Sequence, residues 1–78
     1  MREKTLRAVV AFHTTTDALA METYCAERGV PGRLIPLPTI ISAGCGMCWS
    51  APAAAQQDVI DVAQAAGIKP DGIYQMML

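Results

Sequence analysis

The residues best suited to chemistry are two cysteines in the stretch Ile35 to Ser50, IPLPTIISAGCGMCWS. An apolar run breaks at Pro36 and Pro38, passes Ser42, Ala43 and Gly44, and delivers Cys45-Gly46-Met47-Cys48. Two thiols at C-x-x-C spacing, with glycine before and between them, can attack sulfur or selenium electrophiles, close a disulfide or bind a soft metal. Which of these occurs depends on how easily the thiol ionises. The pattern points to thiol chemistry and names no partner.

Composition limits what can surround such a site. A chain of 78 residues makes one domain, 1–78, and a domain that small buries a modest share of its unfolded surface. Its hydrophobic fraction of 53% is mostly Ala, Val, Ile and Met, with one Phe, one Trp and two Tyr, so the core must rely on close packing of small side chains. Six basic residues against seven acidic ones give a net charge of −1, which supplies no electrostatic footprint for nucleic acid. No apolar run reaches the length of a membrane span, and Met1-Arg2-Glu3-Lys4 is too polar to open a signal peptide, so a cytoplasmic location is expected. Three cysteines are an odd number, and reduced thiols are expected rather than a disulfide framework.

Elements that would hold the thiols follow from periodicity and caps. Thr5 to His13, TLRAVVAFH, reads as a central strand. Thr14-Thr15-Thr16-Asp17 supplies an N-cap and an early carboxylate, and a helix ending at Gly29 follows, with Ala18, Met21 and Cys25 on its apolar face. Val30-Pro31-Gly32 turns the chain into a second strand, Arg33 to Leu37. After the cysteine loop Met47 to Ser50 extends as a short third strand, and Pro52 opens a helix over Ala53 to Ala66 that Gly67 closes. Pro70-Asp71-Gly72 turns into a last strand, Ile73 to Met77.

The order strand, helix, strand, strand, helix, strand predicts an α+β ferredoxin-like sandwich. Its four antiparallel strands would carry both helices on one face, with an irregular lobe where the third strand is short. This topology brings the end of the first strand, the start of the first helix and the cysteine loop to one pole. His13 and the Thr14, Thr15 and Thr16 helix start are therefore expected beside Cys45, flanked by Gly44 and Gly46. Helix N–H groups there favour an anion, and His13 acts as a base when neutral or lowers a thiol pKa when protonated.

The segments Phe12 to Ala18, Gly29-Val30 before Arg33-Leu34-Ile35-Pro36-Leu37-Pro38, Ser42-Ala43-Gly44-Cys45-Gly46, and Gly67-Ile68 before Gly72-Ile73-Tyr74 resemble the small bacterial selenium/sulfur carrier protein-like domains. The resemblance spans nearly the whole chain and is most specific at I-P-x-P and S-x-x-C-G. It implies a cytoplasmic carrier of sulfur or selenium with donor and acceptor proteins as partners. It also implies Cys45 as the carrier thiol, in a loop shaped by Pro36, Pro38, Gly44 and Gly46. Cys48 departs from the family pattern and admits a disulfide resolving step.

Other readings stand beside this one. Cys25 reads as a small buried hydrophobe. His13 could instead end a strand and cap a carbonyl. Trp49 packs in the core or covers the thiols. Tyr74, Met76 and Met77 form a strand with an apolar tail, or the edge of a homodimer. As function classes, a thiol-disulfide redox protein using Cys45 and Cys48 competes with the carrier, although such enzymes normally open a helix with the first cysteine. A soft-metal module comes third, since one C-x-x-C offers two ligands and structural zinc takes four. No cofactor and no resident metal is assigned, and whether the chain is an enzyme stays open.

Overall fold

The computed structural model describes residues 4–41 and 46–78. Strand β1 is Leu6–Ala11, helix α1 Thr15–Arg28, β2 Arg33–Pro36 and β3 Met47–Pro52. A 3-10 turn at Ala53–Ala55 leads into helix α2, Gln56–Ala65, and β4 is Gly72–Met77. All strand pairs are antiparallel and the order across the sheet is β2-β3-β1-β4, which is the ferredoxin-like arrangement.

Alternation along the strands sorts side chains between two apolar clusters. Val10 and Phe12 of the β1 segment and Trp49 and Ala51 of β3 face the helices, where they meet Ala18, Met21 and Cys25 of α1 and Val59, Val62 and Ala63 of α2. Val9, Ala11 and Cys48 face the other side with Ile41, bordered by Ile35, Leu37 and Met76. Among the described residues no helix covers this second cluster. The segment leaving β2 does so: the Ile41 N–H donates to the Pro38 carbonyl (3.0 Å), and the turn so formed lays Ile41 against the sheet.

Both helices stop in the same way, and the endings were readable as Arg28-Gly29-Val30 and Ala66-Gly67-Ile68. Gly29 and Gly67 take left-handed backbone, with φ of 67° and 73°. The Val30 N–H reaches back to the Cys25 carbonyl (2.9 Å) and the Ile68 N–H to the Ala63 carbonyl (2.9 Å), satisfying acceptors that the helix would otherwise leave unpaired. Val30 and Ile68 then pack on the helix-side core, so each stop signal also adds apolar contact.

Two expectations need correction. The third strand does not stop at Ser50, because β3 continues to pair Ala51 with Ala8 and Pro52 with Arg7. Proline is tolerated there because backbone groups alternate direction along β1. Thr5 exchanges hydrogen bonds with Leu78 on the β4 side, so Arg7, two residues on, also points its groups toward β4 and asks nothing of Pro52. The second helix does not run as one α-helix from Ala53. With no Ser, Thr, Asp or Asn to cap it, the chain enters through the tighter 3-10 turn and becomes α-helical at Gln56.

Trp49 is the largest side chain of β3 and is 3% exposed on the helix side. Gly32 makes room for it: a Cβ on Gly32 would lie 2.5 Å from Trp49 Nε1 and 2.7 Å from the Ser50 carbonyl oxygen. At φ 136°, Gly32 also holds backbone that L-residues rarely adopt. Gly29, by contrast, has open space around it. We therefore expect Gly32→Ala to lower unfolding free energy by about 2–4 kcal/mol, through backbone strain plus overpacking, and Gly29→Ala by about 1 kcal/mol. Urea midpoints at unchanged slope check the ranking, and equal losses would contradict it.

Candidate functional site

The sheet topology gathers chemistry at the pole where β1 and β2 end and β3 and β4 begin. Ala11 pairs with Gly72, and the Asp71 N–H donates to the Ala11 carbonyl (2.8 Å), so the residues flanking this junction meet. His13 Nδ1 lies 3.0 Å from Asp71 Oδ1. From the sequence alone Asp71 is only part of the turn Pro70-Asp71-Gly72. The signal that would have found it is the topology itself, since a β2-β3-β1-β4 sheet always lays the start of β4 beside the end of β1.

With Asp71 accepting from Nδ1–H, the neutral imidazole presents Nε2 as a proton acceptor. The His13 side chain is 57% exposed, so that nitrogen is available to solvent and visitors. Thr14 caps α1 as expected: its Oγ1 accepts from the Asp17 N–H at 3.1 Å. The Thr15 and Thr16 N–H groups stand in the first turn, with no helical carbonyl one turn back. Helix α2 starts at the opposite pole, after Pro52. The carboxylates of Asp17 and Asp71 lie at this pole too, so the field there is mixed rather than uniformly positive.

The described residues on either side of 42–45 are fixed to the sheet. The Leu37 N–H donates to the Gly46 carbonyl (3.0 Å), extending the β2–β3 pairing by one rung. Gly46 itself is exposed, with φ 74°. Gly44 and Cys45 lie outside the described residues, and their expected place at this pole belongs to the proposal below. Their chain neighbours Ile41 and Gly46 are placed, the first buried over the sheet and the second at the mouth of β3.

The other two thiols are sealed. Cys48 is 0% exposed, set between Ala11 of β1 and Ile35 of β2 on the sheet face away from the helices. Cys25 is 0% exposed on the helix side, as its apolar position predicted. Trp49 belongs to that same helix-side core and does not share the face of Cys48. Among the described residues, no three His, Cys, Asp or Glu side chains are grouped to hold a metal ion. Among them, too, no helix is long and apolar enough to cross a membrane.

A small α+β domain with a ferredoxin-like sheet and a His13–Asp71 pair beside the capped start of α1 is the class these features define. The chain belongs to the family described as "Putative Se/S carrier protein-like", whose model matches residues 7–75. No match was found among curated proteins or among solved structures.

Burial separates the thiols experimentally. Native protein treated briefly with iodoacetamide should leave Cys25 and Cys48 unmodified, and all three should react after unfolding. Peptide mass mapping reads this directly, and rapid native labelling of either buried thiol would contradict the packing. Burial also pushes the Cys25 thiol above its ordinary pKa, with Arg28 pulling only partly against it. The unfolded chain thus releases this proton first, so the stability contribution is complete below the ordinary thiol pKa and declines as pH rises toward the folded value. Unfolding free energy should fall from roughly pH 8 upward, less steeply in Cys25→Ala; identical slopes would remove Cys25 as the cause.

Proposed function

We propose that this domain carries sulfane sulfur or selenium on Cys45. The observation that carries the reading is the burial of Cys25 and Cys48 in separate apolar clusters, which leaves Cys45 as the thiol for chemistry with a visiting protein. Family membership supports the cargo. In the loading step the Cys45 thiolate attacks the outer sulfur of a donor persulfide, the donor's sulfur–sulfur bond breaks, and the donor leaves as a thiolate. Cys45 now bears the persulfide, or a selenosulfide if the outer atom is selenium. Unloading is the same displacement by an acceptor thiol, so no external oxidant or reductant is needed.

His13 supports this chemistry as the base. Its Nε2 takes the Cys45 proton while Asp71 holds Nδ1 and steadies the imidazolium that forms. The Thr15 and Thr16 N–H groups give the thiolate a favourable helix end, and Gly44 and Gly46 let a partner's backbone approach closely. Donor and acceptor proteins are therefore the partners. Three thiols in a small domain suit a reducing compartment, and we place the exchange in the cytoplasm. Cys48, sealed beneath the sheet's second cluster, is spared from direct attack by a donor and keeps at most a resolving role that requires local opening.

Intact mass after incubation with a small-molecule persulfide, or its selenium counterpart, tests the assignment. Wild type and Cys48→Ala should gain one sulfur or one selenium, Cys45→Ala should gain none, and His13→Gln should load at least about tenfold more slowly at neutral pH. Undiminished loading of Cys45→Ala would end the proposal.

A further inference from the structure

Strand β4 forms one border of the sheet, and its outer side meets no strand among the described residues. The direction of its backbone groups can be worked out residue by residue. Thr5 and Leu78 exchange both hydrogen bonds at 3.0 Å, so in the β1–β4 register Met76 and Tyr74 likewise turn their N–H and C=O groups inward. Ile73, Gln75 and Met77 turn theirs outward. Side chains follow the same alternation: Gln75 donates to Gln56 Oε1 of α2 (2.6 Å) and so marks Ile73, Gln75 and Met77 as helix-side, while Tyr74 and Met76 face the other way.

Among the described residues this border lacks the usual protection. From Gly72 to Leu78 it contains no charge and no proline, and Ile73, Tyr74, Met77 and Leu78 are exposed, Met77 by 54%. The opposite border is different. β2 is four residues long, carries Arg33 and ends in Pro36, which has no N–H to offer.

We propose that β4 pairs with β4 of a second copy of this chain, antiparallel and centred on Gln75. Around that two-fold axis Gln75 meets its own counterpart as a hydrogen-bonded pair, and Ile73 meets Met77 of the partner copy, so every outward backbone group finds an acceptor or donor. The side chains agree with the same register. On the helix side the exposed Ile73 and Met77 cover one another, and on the other face Tyr74 lies opposite the second copy's Met76. No like-charged side chains are opposed between Gly72 and Leu78 of the two copies. The axis stands perpendicular to the sheet, so the two sheets become one with all helices on the same face. The antiparallel sense sends the two His13–Asp71 poles to opposite ends, and both stay open to donors.

Light scattering on the size-exclusion eluate of the whole chain, with amide hydrogen exchange, tests this pairing. Wild type should run at twice the chain mass at high micromolar concentration, with the Ile73, Gln75 and Met77 amides becoming more protected as concentration rises. Gln75→Pro removes an outward N–H and leaves the β1 ladder intact, and Ile73→Lys plants a charge on the border. Both should run as monomers with wild-type circular dichroism, and Ile73→Lys alone suffices if the proline variant misfolds. A wild type that stays monomeric throughout, a dimer that Ile73→Lys leaves intact, or protection of those amides only when a foreign extended peptide is added would each overturn the proposal.

Discussion

The register that sets Cys48 between Ala11 and Ile35 is the constraint on which this domain depends. Side chains alternate strictly along a strand, so placing Cys48 on one face commits Trp49 to the other. A slip of one residue would drive the indole under the thin cover of residues 37–41 and leave a thiol-sized plug in the helix-side core. The difference in volume between these neighbours therefore locks the alignment of β2, β3 and β1. Gly32 completes the lock, since its missing side chain admits the indole edge.

From that alignment the polar chemistry follows at both ends of the sheet. At one pole the strand ends lie side by side, which brings His13 to Asp71 and puts the start of β3 at the same end as the capped start of α1. At the other, Arg7 reaches across the face away from the helices to Ser50, with Nε 3.1 Å from the hydroxyl and Nη2 3.3 Å from the backbone carbonyl. Ser50 is the buried polar residue of that face, and this fork satisfies it where no helix could. The two apolar clusters are thus unequal partners. The larger, between sheet and helices, supplies most of the burial; the smaller ties Leu37 and Ile41 to the sheet face away from the helices.

Much of the architecture was legible because it depends on neighbours in the chain. Thr14 with Asp17 and the Gly-Val and Gly-Ile stops act within a few residues, and each marked its helix end correctly. The 3.6-residue spacing of Ala18, Met21 and Cys25 identified a buried helix face. The end of β3 and the start of α2 differ from the sequence expectation for a related reason. Pro52 is permitted in a strand because of the direction in which Arg7 points its backbone groups, and that is a property of β1 and β4. Asp71 escaped notice similarly, since nothing within the turn Pro70-Asp71-Gly72 refers to His13, far away in sequence.

What the residues determined on their own was the list of local elements, their caps and a glycine-flanked thiol pair at C-x-x-C spacing, because those depend on short-range sterics, hydrogen bonding and side-chain chemistry. Only the tertiary structure decided which thiols are sealed, which carboxylate holds the histidine and which border of the sheet is bare. Each of those is a relation between strands distant in the chain, and it is set by pairing register and sheet order rather than by the type of any one residue.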